Sequence, residues 1–197
     1  MRKIVFLSVF SFIALVTALW GDKKDYKVGD TGTGGGIVFY VDKGGFTVYD
    51  GMGGEKICHY LEMSKDTLGE SQWFPEYVEV SGTWDRIGSG KSNTYKILCE
   101  RTSKPLTEEN CAAYRCSRYR TASTKAGEWF LPSEIELRYM YYNQKEQVLL
   151  TCNDTCHWAS NKDYANLVWV MDFSIRDYPD NIHDNRNKHS VRAVRAF

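Results

Sequence analysis

Strand-like patterning lies at both ends of this chain, with capped helices between, and that order leaves few architectures open. Gly32, Gly34, Gly35 and Gly36 precede Ile37 to Val41, a β-branched and aromatic run that reads as a strand. Gly44 and Gly45 mark a turn. Phe46 to Tyr49 and Lys56 to Met63 then read as two further strands around the loop Gly51-Met52-Gly53-Gly54, completing a β-meander. Toward the other end, His157 to Ser160, Leu167 to Phe173 and Val191 to Phe197 read as strands. Leu167, Val168, Trp169, Val170 and Met171 are continuously apolar, so that strand is expected to be covered on both faces. The expected fold class is α+β, with a central antiparallel sheet joining both termini and flanking helices.

Between these ends, three helices carry start signals. Asn93 is placed to cap the first. Thr107 is placed to cap the second, with Glu108 and Glu109 in its first turn and Arg115, Arg118 and Arg120 near its end, as the helix dipole favours. Ser133 and Glu136 form a capping box after Pro132, and Leu137, Met140 and Tyr141 follow at core-facing spacing. The stretch Gly69 to Gly90, with Trp73, Pro75 and Trp84, lacks sustained periodicity and reads as a long packed loop. It is either a binding surface or a flap whose tryptophans cover the core.

Met1, Arg2 and Lys3 followed by the apolar run Ile4 to Trp20 have the form of an export signal. Residues 1–21 are therefore expected to be a signal peptide, or an amino-terminal anchor if uncleaved, and residues 22–197 a single domain. The expected location is outside the cytoplasm: periplasmic, cell-surface or secreted. A formal net charge of +0 and a pI near 6.9 give no electrostatic basis for binding nucleic acid or an anionic membrane surface. Cys58, Cys99, Cys111, Cys116, Cys152 and Cys156 form an even set in an exported chain, and disulfides are the expectation. Six cysteines allow fifteen pairings, and spacing selects none. A zinc site from Cys111, Cys116, Cys152, Cys156, His59 and His157 is the competing reading, but no tight C-x2-C pair supports it.

Familiar catalytic and cofactor motifs are incomplete. Gly88-Ser89-Gly90-Lys91-Ser92 resembles the end of a phosphate-binding loop, yet Asp85 stands where the first glycine is required. The Gly32 to Gly36 cluster precedes a strand, whereas a dinucleotide-binding turn follows one. Neither an H-E-x-x-H nor a G-x-S-x-G segment occurs. No cofactor and no metal are expected on these grounds.

Four segments taken together are more specific. Val28-Gly29-Asp30 through Gly36-Ile37-Val38-Phe39-Tyr40, Ile87-Gly88-Ser89-Gly90-Lys91-Ser92-Asn93-Thr94, Glu128-Trp129-Phe130-Leu131-Pro132-Ser133-Glu134 and Val191-Arg192-Ala193-Val194-Arg195-Ala196-Phe197 resemble, in that order, the DUF1566 or Lcl carboxy-terminal-like domains of bacterial surface proteins. The resemblance covers roughly residues 28 to 197. It implies a C-type-lectin-like fold of the formylglycine-generating-enzyme type. Those enzymes need a reactive cysteine pair near the closing strands, and Lys162 to Phe197 contains no cysteine. The E-P-N or Q-P-D loop of calcium-dependent lectins is likewise missing.

The expected function is that of an exported, non-catalytic module binding an extracellular protein or glycan through polar loops. Its expected ligand-binding residues are Asn161, Asp163, Tyr164, Asn166, Asp177, Tyr178, Asp180, Asn181, His183 and Asn185. A solvated loop pair is the plainer alternative. Some proteins of the resembled fold are diversified at adenine-rich codons, and the Asn, Asp, Tyr, His and Ser content of residues 161 to 190 would suit that. A thiol- or metal-dependent enzyme and a structural envelope protein are the competing functions.

Overall fold

The computed structural model describes residues 24–145, 156–175 and 180–197. Among them the order of elements is β1 (Ile37–Tyr49), β2 (Glu55–Met63), β3 (Glu70–Gln72), α1 (Gly90–Cys99), α2 (Ala112–Arg118), α3 (Glu134–Lys145), β4 (Cys156–Tyr164), β5 (Leu167–Asp172), β6 (Asp180–Asp184), β7 (Lys188–Ser190) and β8 (Val194–Ala196). This is a mixed α+β fold. The strands form two sheets, ordered β1-β2-β8 and β3-β7-β4-β5-β6, rather than the single central sheet expected. The first sheet nevertheless joins the two ends of the domain, because β8 lies antiparallel beside β2 with Leu61 opposite Ala196.

Buried Glu62 explains the glycine cluster before β1. Its carboxylate accepts backbone N–H groups from Gly34 at 2.8 Å and Gly36 at 2.9 Å and the Arg195 guanidinium at 2.6 Å. Charge-assisted bonds of this kind are the stronger class. A Cβ on Gly36 would lie 2.4 Å from the Met63 carbonyl, so the close approach requires glycine there. The expected turn at Gly44 and Gly45 is instead an irregularity within one long strand. The Asp42 carboxylate accepts both glycine N–H groups, and the register with β2 shifts between Val41 and Phe46. Local turn chemistry bends this strand without breaking it.

Of the three helices, α3 starts as its capping box requires: Ser133 N–H donates to the Glu136 carboxylate at 2.8 Å, and Glu136 N–H donates to Ser133 Oγ at 3.3 Å. Leu137, Met140 and Tyr141 are buried on its core face. Asn93 does not cap α1. Its own N–H already donates to the Ser89 carbonyl, so the helix has begun before it. Thr107 closes a separate turn through the Cys111 N–H, and α2 starts only at Ala112.

Two core clusters share the second sheet. Trp158, Val168 and Val170 pack on one face with Trp73 and Trp129, while Ala159, Met171 and Phe173 pack on the other with Phe39, Leu61 and Met140. This double coverage accounts for the uninterrupted apolar sequence of β5. Each fully buried Val, Leu, Met or Phe side chain among them contributes about 1.5–3 kcal/mol relative to exposure. The polar stretch after Phe173, expected as a loop, contains β6 and β7. Conversely, the closing strand expected over Val191 to Phe197 is confined to β8. No helix among the described residues is long and apolar enough to cross a membrane.

Candidate functional site

An aromatic-walled cleft opens between the end of β1, the glycine-rich β1–β2 loop, residues 84–89 and α1. It encloses 630 Å³ and is lined by Thr47, Tyr49, Trp84, Arg86, Ser89 and Lys96, among others. Trp84 is 53% exposed and Tyr49 50%, so two large rings face solvent at one opening. The Arg86 guanidinium stacks 4.6 Å from the Trp84 ring, supplying a cation beside it.

Backbone and side-chain bonds hold this wall in place. The Asn93 side chain grips Trp84 at two points, accepting its N–H at 3.0 Å and donating to its carbonyl at 2.6 Å, and also donates to Ser160 Oγ at 3.0 Å. Ser133 Oγ donates to the Arg86 carbonyl at 3.0 Å, and Ile135 N–H donates to that of Asp85 at 3.0 Å. Below them the fully buried Glu136 carboxylate accepts the Gly88 N–H at 2.9 Å. Burial pushes the pKa of Glu136 up to about 7, against the opposing pull of backbone N–H groups from Ser133, Gly88 and Gly90. Gly88 is obligatory: at φ +84 its Cβ would stand 2.1 Å from the Thr47 carbonyl. On the opposite wall the Asp50 carboxylate accepts Met52 and Gly54 N–H groups, which fixes the β1–β2 loop and lowers its pKa.

The residues expected from sequence to bind a ligand are dispersed. Asp163 and Tyr164 are exposed and line a separate cleft of 520 Å³ with Gly82, Thr83 and Lys162. Asn181 is exposed on β6, and Asn166 is half-buried, its carbonyl accepting the Asn185 N–H. Asn161 and Asn185 lie inside the protein instead. Asn161 accepts the Glu134 N–H at 2.8 Å at the start of α3, and Asn185 donates to the Glu76 carbonyl at 2.8 Å. Asp180 is paired with Arg138 at 2.8 Å. Asp177 and Tyr178 lie outside the described residues.

His183 has a different association. With His189 and Cys156 it forms a half-buried cluster whose three ligand atoms lie within 4.8 Å of one another. Burial lowers the His189 pKa to about 4, assisted by His183. Burial likewise pushes the Cys156 thiol up to about 11, assisted by its contact with Asp172. His157, by contrast, is buried against the Phe173 ring on the opposite face of β4.

The expected disulfide framework is not present among the described cysteines. Cys58, Cys99, Cys111, Cys116 and Cys156 are free thiols, and Cys152 lies outside the described residues. Cys111 and Cys116 are core residues under α2, where burial pushes the Cys111 thiol up to about 11 and that of Cys116 well above its ordinary value. Burial also raises Cys58. These thiols remain protonated at neutral pH and are poor nucleophiles.

Sequence reasoning pointed to the long loop before α1 without choosing between surface and flap. The structure divides the roles: Trp73 is buried and donates to the Ala159 carbonyl at 2.8 Å, while Trp84 faces the cleft. A tryptophan set among Gly82, Thr83 and Asp85, away from any apolar periodicity, is the signal that could have separated them. The chain matches no known protein-family model, and no curated protein matches it in sequence.

Proposed function

We propose that this protein is an exported, non-catalytic binding module of the DUF1566 type with a C-type-lectin-like domain. Its ligand is an extracellular glycan carrying an anionic group, bound in the cleft beside Trp84. The observation that carries this reading is a 630 Å³ opening in which a half-exposed tryptophan lies against an arginine and near Lys96. Ligand sites of 300–1,000 Å³ with aromatic walls and a few fixed polar groups are the usual form for small molecules and sugars. An aromatic face accommodates an apolar sugar face, and the two cations select for a carboxylate or sulfate on it. Sharing of one sheet by both ends of the domain supports the lectin-like reading. Elevated thiol pKa values at Cys58, Cys111, Cys116 and Cys156 weigh against thiol catalysis. The export signal at residues 1–21 supports placement outside the cytoplasm, with any membrane attachment through that segment alone.

Titration of the full chain against acidic oligosaccharides, read by calorimetry, tests the proposal. Loss of a central aromatic anchor is worth about 2 kcal/mol, so Trp84→Ala should weaken binding roughly 30-fold. Tyr164→Ala in the neighbouring cleft should leave the affinity unchanged. Equal binding by wild type and Trp84→Ala would remove the cleft from consideration.

A further inference from the structure

We propose that Cys156, His183 and His189 bind a zinc ion, a site separate from the Trp84 cleft. The three residues come from β4, β6 and β7, and their ligand atoms lie within 4.8 Å of one another. His183 Nδ1 and His189 Nε2 are 2.7 Å apart, a separation at which the two nitrogens share one proton. The Cys156 thiol lies against the Asp172 carboxylate. A divalent cation can take the place of the proton between the histidines and of the thiol proton. One thiolate and two imidazoles are a preferred donor set for zinc, with Zn–S about 2.3 Å and Zn–N about 2.0–2.1 Å. Around a tetrahedral ion those lengths separate the donors by roughly 3.3–3.6 Å. The histidine nitrogens need to part by roughly 0.6 Å to reach that separation, and the set already lies within 4.8 Å.

The fold holds each ligand on a strand. Cys156 stands directly opposite Asp172 in the β4–β5 ladder, and Asp172 is itself fixed by the N–H and hydroxyl of Ser174 at 2.9 and 2.6 Å. His189 packs edge-on against buried Trp158, ring centroids 4.5 Å apart. The next residue, Ser190, pairs with His157 of β4. His183 is set by pairing with Val168. The turn between β6 and β7 is pinned where Asn185 N–H donates to the Asn166 carbonyl and Trp73 N–H to the Asn185 carbonyl, each at 2.9 Å. Such support reduces the reorganisation needed to receive an ion.

Binding proceeds by exchange: the Cys156 S–H bond gives way to an S–Zn bond and its proton passes to water, while the proton between His183 Nδ1 and His189 Nε2 moves through solvent to the outer nitrogen of the ring that carried it. Two neutral imidazoles, one thiolate and the adjacent carboxylate then balance the two charges of zinc. Solvent completes the coordination, and the Asp172 carboxylate offsets the remaining positive charge from outside it.

The test uses the full chain, stripped with a chelator and titrated with zinc and with cobalt(II). Expected are one tightly held zinc per chain and, with cobalt, a near-ultraviolet thiolate charge-transfer band together with the visible bands of a tetrahedral ion. Cys156→Ser should abolish the charge-transfer band. His183→Ala and His189→Ala should each weaken binding at least tenfold, and Asp172→Asn about 10–100-fold. Cys99→Ser should bind as wild type. Failure of the wild-type protein to retain stoichiometric zinc, or to show the charge-transfer band, overturns the proposal without reference to any variant's folding. A band that survives Cys156→Ser overturns it as well.

Discussion

Replacing Glu136 by glutamine isolates one buried titration and the loop it supports. In the unfolded chain this carboxyl titrates near 4.5, whereas in the folded protein burial pushes it up to about 7. Between those values the native state holds a proton that the unfolded state has released, so stability falls as pH rises through the window. The difference between 4.5 and about 7, at about 1.36 kcal/mol per pH unit, corresponds to a loss on the order of 3 kcal/mol by pH 8. Glutamine does not titrate. It offers one carbonyl oxygen where Glu136 offers two acceptors to the Ser133 and Gly88 N–H groups, so one donor meets an amide NH2. A mismatched buried donor costs about 1–3 kcal/mol. Glu136→Gln should therefore be less stable than wild type at pH 4.5, and the gap should narrow or invert by pH 8. Urea denaturation of both proteins across this range measures the difference, in which every other titrating group cancels. A gap that stays constant, or widens with pH, would refute the reasoning that Glu136 is held largely protonated in the fold.

Gly36→Ala should destabilise the domain by about 1–3 kcal/mol through overpacking, since its Cβ would meet the Met63 carbonyl at 2.4 Å and the Trp129 ring at 2.9 Å; a midpoint shift in urea reports it. Asn93→Ala removes both grips on Trp84 and the bond to Ser160. A cost of about 1–3 kcal/mol is expected, with Trp84 fluorescence shifting toward that of a mobile, solvated indole. Alkylation followed by mass spectrometry should modify exposed Cys99 in the native protein and reach buried Cys111 and Cys116 only on unfolding. Rapid native labelling of either core cysteine would contradict the packing beneath α2.

What the sequence disclosed depended on how local the cause was. The start of α3 was readable because Ser133 and Glu136 bond to each other's backbone within one turn. Strand β5 was readable because burial on two faces leaves an unbroken apolar run. Strands β6 and β7 were not, because Asp, Asn and His residues there carry turn-like chemistry while partners distant in sequence decide the pairing: β5 for the one, β3 and β4 for the other. Asn161 and Asn185 looked like loop residues for the same reason, although tertiary backbone donors and acceptors claim them. The approach of Cys156 to two histidines follows from strand register across the second sheet, and no ligand spacing along the chain announces it.

The closure of the first sheet has a consequence for how the chain is made. Glu62 and Arg195 meet although they stand 133 positions apart in sequence, so β2 carries an unpaired edge throughout the synthesis of everything between them. Loop closure over such a span is entropically costly and comes late. Until it does, the N-terminal hairpin is an open template for any neighbouring strand. A nascent or truncated chain lacking β8 should therefore self-associate through that edge, and holding the polypeptide extended until β8 is available would be the direct protection against it.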